Sequence, residues 1–173
     1  MLRLVKTNTK YKKSFLDALR DDHKEKRNMD LDVKTLQKNF SAFVGKLHNH
    51  EKGIDLPKKW VPCTTFWLIN GNKFIGRVSV RHRLPIIKES GHIGYEIRVN
   101  ERKRGYGNKI LAMVLPKAYK LGLKKVLIIC NEENIGSRKI IENNGGILKN
   151  KIMSKSGKIR LRYWINIQKV LKK

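Results

Sequence analysis

The sequence has few cysteines and no long apolar run. Its 173 residues contain two cysteines, Cys63 and Cys130, which lie far apart and match neither a metal-ligand spacing nor a disulfide framework. No apolar stretch approaches the roughly 20 residues that a membrane-spanning helix needs, and charges interrupt the N-terminal segment too often for a signal peptide. These absences, with the chain length, predict a single domain over residues 1–173 in the reducing cytoplasm, without a metal or a membrane partner.

Acidic residues are also scarce. The chain has 14 Asp and Glu against 40 Lys and Arg, a formal net charge of +26. Such a surface attracts polyanions, so a nucleic-acid partner has to be considered. The positive residues are nevertheless scattered along the whole chain, and the aromatic-rich motifs of RNA-binding platforms are missing. A mostly passive, solvated positive surface is therefore favoured, and nucleic-acid binding is the less favoured alternative.

Hydrophobic periodicity predicts four helices. Apolar residues at helical spacing place them over about 9–23, 33–48, 107–121 and 135–143. Pro116 is expected to weaken or kink the third helix, because proline removes a backbone donor. Gly122 is expected to end that helix in a left-handed cap.

Alternating and continuous apolar runs predict the strands. One opens the chain near 2–5, and two more form a hairpin around Asn70-Gly71, a pair that suits a tight turn. A loop around Pro85–Ser90 follows. The remaining strands are predicted over 91–99, 126–130, 147–153 and 159–167. The order of elements indicates a mixed sheet with helices on its faces.

Residues 102–107, Arg-Lys-Arg-Gly-Tyr-Gly, combine dense positive charge with an uncrowded backbone. The two glycines let main-chain amides converge on an anion, and the helix that follows adds unpaired donors with partial positive charge. The segment lacks the Gly-Lys-Ser/Thr of a Walker loop, and Ile110 replaces the third glycine of a dinucleotide fingerprint. The pattern favours a site for a pyrophosphate-sized anion over an ordinary glycine turn with a solvated basic edge.

The predicted strand 91–99, the Arg-x-x-Gly-x-Gly segment at 102–107 and the helix that follows resemble a known family. It is the GNAT superfamily of acetyl-CoA-dependent N-acetyltransferases, whose motif is Q/R-x-x-G-x-G/A. The run Asn134-Ile135-Gly136-Ser137 after a buried strand is similar to a second feature of that family. The order of elements is also similar over nearly the whole chain. The resemblance implies an α/β (α+β) GNAT fold: a mixed, mostly antiparallel sheet of six to seven strands, helices on both faces, and splayed central strands.

The resemblance also implies how acetyl-CoA would bind. The backbone of Ile97 and Val99 would pair with the pantetheine arm, the diphosphate would sit on the amides from Lys103 to Asn108, and Asn134 with Ser137 would hold the pantetheine from the other side. The cofactor-binding residues implied are thus Ile97, Val99, Arg102, Lys103, Arg104, Gly105, Tyr106, Gly107, Asn108, Asn134 and Ser137. The implied activity is direct transfer of an acetyl group to a primary amine in a ternary complex.

Two residues are candidates for accepting the proton of the amine. Alternation along the strand 91–99 puts Glu96 and His92 on one face and Tyr95 on the other. Burial among apolar strands would raise the pKa of Glu96 toward neutrality, which suits a general base. The alternative is that Glu96 forms a structural ion pair. Ile141 occupies the position where many family members have a proton-donating tyrosine, so solvent or another hydroxyl, such as that of Tyr163, would replace it.

The acceptor side is predicted least sharply. Six acidic residues lie between positions 17 and 32: Asp17, Asp21, Asp22, Glu25, Asp30 and Asp32. They are expected either to guide a cationic amine or to balance nearby lysines. The acceptor would be a small-molecule or peptide amine, and the protein a monomer or homodimer. The alternatives are a nucleic-acid-associated, tRNA-directed GNAT protein and a non-catalytic acetyl-CoA-binding protein.

Overall fold

The computed structural model describes residues 1–86 and 89–172. Residues 87, 88 and 173 lie outside the described residues, so the loop predicted around Pro85–Ser90 is described only in part. Short 3₁₀ turns at Thr9–Tyr11 and Val99–Glu101 accompany the regular elements. In chain order these are β1 (Leu2–Lys6), α1 (Lys12–Lys24), α2 (Val33–Lys52), β2 (Cys63–Asn70), β3 (Lys73–Arg81), β4 (Ile93–Ile97), α3 (Tyr106–Lys120), β5 (Lys125–Asn131), α4 (Ile135–Asn143), β6 (Ile147–Met153), β7 (Ile159–Asn166) and α5 (Ile167–Leu171).

The strands form one seven-stranded sheet in the order β1-β2-β3-β4-β5-β7-β6. Neighbouring strands are antiparallel except β4 and β5, which run parallel and share one paired position, Ile93 with Ile128. Beyond that position the two strands diverge toward Ile97, which opens a gap in the middle of the sheet. The mixed, mostly antiparallel sheet with splayed central strands is confirmed.

Helices cover both faces of the sheet, because successive side chains in a strand point to opposite sides. In β2, Leu68 packs into the core beneath α3, α4 and α5. Its neighbour Trp67 packs on the other face with Phe15 of α1 and Phe40 of α2. Two apolar cores therefore hold the sheet from either side, and the site lies where β4 and β5 separate between them.

The turn between β2 and β3 and the ends of the helices lie close to the positions predicted from the sequence. The β2–β3 turn has Gly71 at φ +58, with Asn70 already paired to Lys73 at the end of the strands. α3 runs through Pro116 without ending, and Gly122 follows it at φ +88, as a left-handed cap requires. The predicted second helix is longer than expected, because α2 continues to Lys52 and closes at Gly53.

Candidate active site

The segment Arg102–Asn108 forms a backbone turn that leads into α3. Lys103 and Gly105 take the left-handed conformation, with φ values of +60 and +76, and Gly105 is the N-cap of α3. The first amides of a helix have no intrahelical acceptor, and the amides of residues 103–105 donate to no other described residue. The turn therefore presents a run of main-chain donors, which is the arrangement that an anion site needs.

The charged side chains of this turn are only partly engaged by the protein. Arg102 Nε donates to the carbonyl oxygen of Ile97 at 3.3 Å. Arg104 Nη1 lies 3.5 Å from the carboxylate of buried Glu101, which also pairs with Lys73. Lys103 forms an ion pair with none of the described residues. The turn is therefore surrounded by positive charge. Of its three basic side chains, Lys103 makes the fewest polar contacts with the rest of the described residues.

A groove of about 900 Å³ runs from this turn along β4 to the N-terminus of α4. Its walls include every predicted cofactor-binding residue except Val99 and Arg104. The strand ends at Ile97, and Val99 lies in the 3₁₀ turn, where its carbonyl oxygen accepts from the amide of Arg102 at 3.2 Å. The prediction that Val99 extends the strand is therefore wrong. Arg104 is outside the groove lining, and its side chain lies toward the Glu101 carboxylate.

Gly107 has a role that the sequence did not indicate. A Cβ at this position would overlap the Cδ1 atom of Ile140, so the glycine permits α3 to pack closely against α4. At Gly105, by contrast, an added Cβ would meet no atom within 4 Å, and the positive φ alone favours glycine. The two glycines of the segment thus satisfy different requirements.

The N-terminus of α4 forms the opposite wall. Asn134 Oδ1 accepts from the amide of Ser137 at 2.9 Å and caps the helix. The Ser137 hydroxyl lies 2.8 Å from that of Tyr95, which reaches across the gap from β4. Burial raises the pKa of Tyr95 to about 12. Sequence reasoning did not single out Tyr95, and its alternation with Glu96 gave only the face it occupies.

Glu96 lies at the centre of an ion-pair network beside the groove. Its carboxylate accepts from Arg27, from Asn28 at 3.1 Å and from Arg77 Nε at 3.1 Å, and its side chain is 19% exposed. Burial alone would raise the pKa of Glu96, but Arg77, Arg27 and Asn28 lower it overall. The predicted rise in this pKa is wrong. Spacing could not reveal Arg27 and Asn28, which come from the segment between α1 and α2.

The predicted alternation along this strand is confirmed for Tyr95 and Glu96. β4 pairs with β3 in a continuous register, so Glu96 shares a face with its partner Arg77, while Tyr95 packs against the core on the other face. The register shifts in the described sheet lie elsewhere, between β2 and β3 at Leu68/Ile69 and between β6 and β7 at Leu148/Asn150.

His92 precedes β4 and is 6% exposed. Its Nδ1 atom accepts from the amide of Leu127 in β5 at 2.9 Å, and its ring meets the ring of Trp164 edge-on. Burial and the nearby Arg81 lower the pKa of His92. The imidazole thus joins β4 to β5, and the described walls of the groove are formed by other residues.

The acidic residues near α1 are largely engaged in internal contacts. Asp21 accepts from Arg98 at 2.7 Å and from Asn100 at 2.9 Å. Asp22 is 7% exposed and accepts from Asn28 at 2.7 Å. Asp21 and Asp22 are therefore largely engaged by Arg98, Asn100 and Asn28. That the acidic cluster guides a cationic amine stays a prediction.

A second pocket of about 620 Å³ opens between the sheet and the α1–α2 side. Arg77, Ser79 and Arg81 of β3 line both this pocket and the groove. The strand register places Ser79 between Thr65 of β2 and Gly94 of β4. Two adjoining spaces therefore meet on β3, which gives room for two ligands. Neither the pocket nor its lining could be inferred from spacing along the chain.

Among residues 1–86 and 89–172, no group of three or more His, Cys, Asp or Glu side chains is placed to hold a metal ion. None of the helices in these ranges is long and apolar enough to cross a membrane.

Comparison with known proteins places this geometry in a family. The model of the acetyltransferase (GNAT) domain matches residues 17–147. The fold is similar to that of RimJ from Mycobacterium smegmatis in complex with a CoA disulfide, with a TM-score of 0.74, 15% identity, and coverage of 97% of this chain and 83% of that one. A search of curated proteins finds no significant match.

Two other solved structures have the same fold. A chimera of the spermidine N-acetyltransferase SpeG from Vibrio cholerae and hSSAT aligns with a TM-score of 0.69 at 14% identity, over 99% of both chains. RimL, a ribosomal alpha-N-protein acetyltransferase in complex with coenzyme A, aligns with a TM-score of 0.70 at 14% identity, over 96% of this chain and 95% of that one. Fold and family model together define an acyltransferase. The chain belongs to the GNAT acetyltransferase family.

Proposed function

We propose that the protein transfers the acetyl group of acetyl-CoA to a primary amine by direct attack within a ternary complex. The observation that carries this proposal is the run of uncommitted amides from Lys103 to Asn108 at one end of the groove. RimJ and RimL, which share the fold, were solved with forms of coenzyme A. A diphosphate satisfies several main-chain donors at once, and the positive end of α3 adds to its binding.

The groove fits the rest of such a ligand. Ile97, at the divergent end of β4, would face the pantetheine arm, and Asn134 and Ser137 would hold it from α4. Lys103 and Arg102 would add charge beside the diphosphate. When bound, acetyl-CoA supplies an activated thioester carbonyl, and holding an amine next to it makes the reaction effectively unimolecular.

Glu96 is proposed to orient the acceptor amine or a water beside the groove, and a water is proposed to take the proton of the amine, because a carboxylate with a lowered pKa is a weak base. Glu96 lines the groove beside Gly94 and Ser79, and its lowered pKa keeps it ionised at neutral pH. It can therefore hold an ammonium group or an ordered water without first losing a proton of its own. His92 is not proposed further, because its Nδ1 is committed to Leu127.

Tyr95 is proposed to donate a hydrogen bond to the departing sulfur. Tyr95 lines the groove together with Ser137, whose hydroxyl it contacts, and its raised pKa keeps the proton on the phenol. Ile141, at the position of the family tyrosine, is buried in the core and cannot take this role. Tyr163 is also buried, and its hydroxyl donates to Glu142 at 2.8 Å.

The test is a thermal-shift and calorimetric screen of acetyl-CoA, CoA, ATP and NAD. A ligand at a hundred times its Kd should stabilise the fold by about 2.7 kcal/mol, and we expect this for CoA and acetyl-CoA but not for NAD. Lys103→Glu should weaken CoA binding at least tenfold. Lys125→Glu, which makes the same charge change away from the groove, should leave CoA binding within twofold. Equal stabilisation by NAD, or none by CoA, would contradict the proposal.

A further inference from the structure

The second pocket differs in chemistry from the cofactor groove. Its inner wall is aromatic and aliphatic, with Phe43, Leu47 and Trp67 among its lining residues. At its edge, Trp60 is 55% exposed and packs edge-on against His50. Such a surface suits an apolar or aromatic group on the occupant.

The charged residues around this wall are mainly positive. Lys46, Lys59, Arg77 and Arg81 line the pocket, and Asp30 is the carboxylate among its described lining residues. Arg77 is already paired with Glu96. Lys46, Lys59 and Arg81, in contrast, have no carboxylate of the described residues within 4.0 Å. Three cations without a carboxylate partner among the described residues therefore surround an apolar pocket.

Two residues that line the pocket each have a buried polar atom without a hydrogen-bond partner among the described residues. Trp67 is fully buried, and its Nε1 has no hydrogen-bond partner among the described residues. The same holds for Nε2 of buried His50. An indole N–H can only donate, and leaving a buried donor unpaired costs about 1–3 kcal/mol. His50 Nε2 donates or accepts according to its tautomer. The lining cations, more than these two buried atoms, therefore favour an acceptor group on the occupant.

The strand register shows how the pocket and the groove adjoin. Ser79 and Gly94 are paired neighbours with small side chains, and both line the cofactor groove. Arg81 is two residues from Ser79 on the same face of β3, roughly 6.7 Å along the strand. Arg81 Nη1 donates to the carbonyl oxygen of Gly91 at 3.0 Å, which holds the guanidinium at this edge. Arg81 and Ser79 line both the pocket and the groove, so an anion at Arg81 would lie where the two spaces meet.

We infer that the acceptor is a compact primary amine that also carries an anionic group and an apolar side chain, as a free apolar amino acid does. This inference rests on the proposed function and names its acceptor class. The carboxylate would meet Arg81 and the nearby lysines, the apolar side chain would lie against Trp60 and Phe43, and the amine would face Ser79 and Gly94. The same positive lining opposes a polycation, in contrast to the spermidine named for the SpeG chimera.

The experiment compares two probes that differ in one charge. Binding of L-phenylalanine and of L-phenylalaninamide is measured by calorimetry on the full chain saturated with CoA, with spermidine as a third probe. The amide keeps the ring and the amine but lacks the carboxylate. We expect L-phenylalanine to bind at least tenfold more tightly than the amide, and spermidine to bind more weakly than either.

Variants connect this preference to Arg81. Arg81→Gln should remove the difference between the two probes, and Arg81→Lys should restore part of it, with the thermal midpoint of each variant reporting that it folds. Arg83→Gln, an exposed arginine outside the lining, should leave the preference intact. Equal binding of the two probes, a preference for spermidine, or no binding of any of them overturns the inference. Thermal stabilisation by CoA in the same samples shows separately whether the proposed function stands.

Discussion

Single residues determine whether the anion-binding turn can form. Gly105 at φ +76 and Lys103 at φ +60 alternate with residues of ordinary conformation, and this alternation brings successive amides to one side. Lysine accepts the left-handed conformation at a cost, since side chains other than glycine are strained there. The glycines of the Arg-x-x-Gly-x-Gly segment therefore determine the backbone conformation that presents the amides. Its basic side chains add positive charge beside them.

Gly105→Ala should destabilise the protein by about 1 kcal/mol, because alanine at positive φ is strained. The added Cβ meets no atom within 4 Å, so the backbone is the sole source of the loss. Urea unfolding measures it. Gly45→Ala is the control: its Cβ is also unobstructed, but it lies inside α2. It should stabilise the fold by about 0.5–1 kcal/mol. A destabilised Gly45→Ala together with an unchanged Gly105→Ala would contradict this account.

Glu96→Gln should reduce stability by about 2 kcal/mol at pH 7, because it leaves two guanidiniums without their carboxylate. The pKa of Glu96 is lowered in the folded state from 4.5. Its contribution is therefore present above that value and is lost as the pH falls through the folded pKa. The difference between wild type and variant should shrink toward pH 3 in urea titrations. Glu25→Gln, which removes an exposed carboxylate at the end of α1, should show little change.

At the scale of whole elements, most helices and strands could be predicted from the sequence. The exact end of β4 and the side-chain contacts between elements could not. Periodicity located α1 to α4, because each helix buries a single face. The end of β4 was missed, because Val99, the first residue of the 3₁₀ turn, continues the alternating apolar pattern of the strand. The alternative that Glu96 forms a structural ion pair is confirmed, but its partners could not be identified from the sequence. These partners come from β3 and from the α1–α2 connection, and spacing along the chain does not reveal such contacts.

The β2–β3 pairing creates another contact, between β3 and α1, that spacing along the chain does not reveal. Leu68 faces Gly76 and Ile69 faces Phe74, so Ile75 is an extra residue in β3. The amide of Phe74 leaves the ladder and donates to the Ser14 hydroxyl of α1 at 2.8 Å. This bond ties the first helix to the strand that carries Arg77 and Ser79.

Ser14→Ala should destabilise the protein by about 1–2 kcal/mol, since the Phe74 amide would lose its acceptor in a part-buried site. Chemical denaturation gives the loss directly. Ser41→Ala makes the same change on the exposed side of α2 and should be neutral or slightly stabilising. Equal effects of the two substitutions would show that the hydroxyl of Ser14 is not the acceptor that matters.

For the molecule as a whole, charge and site have to be considered separately. The net charge of +26 belongs to the entire surface, whereas the groove presents a small set of amides to one ligand. A positive surface attracts any polyanion through long-range forces that salt screens. Main-chain amides bind a diphosphate through short contacts that salt weakens less. Ionic strength therefore separates an acetyltransferase with a passive positive surface from a protein built to hold nucleic acid.

We expect a fluorescently labelled RNA oligomer to bind weakly and to lose at least about 10³-fold in affinity between roughly 50 and 200 mM salt, as counterion release predicts for many phosphate contacts. The affinity for CoA, which carries few phosphates, should fall less than about tenfold over the same range. Fluorescence anisotropy and calorimetry measure the two. Lys103→Glu and Lys125→Glu should weaken RNA binding equally, because each changes the net charge alike, while only the first should affect CoA. RNA that stays bound at 200 mM salt and is displaced by CoA would identify the groove itself as a nucleic-acid site and favour that alternative.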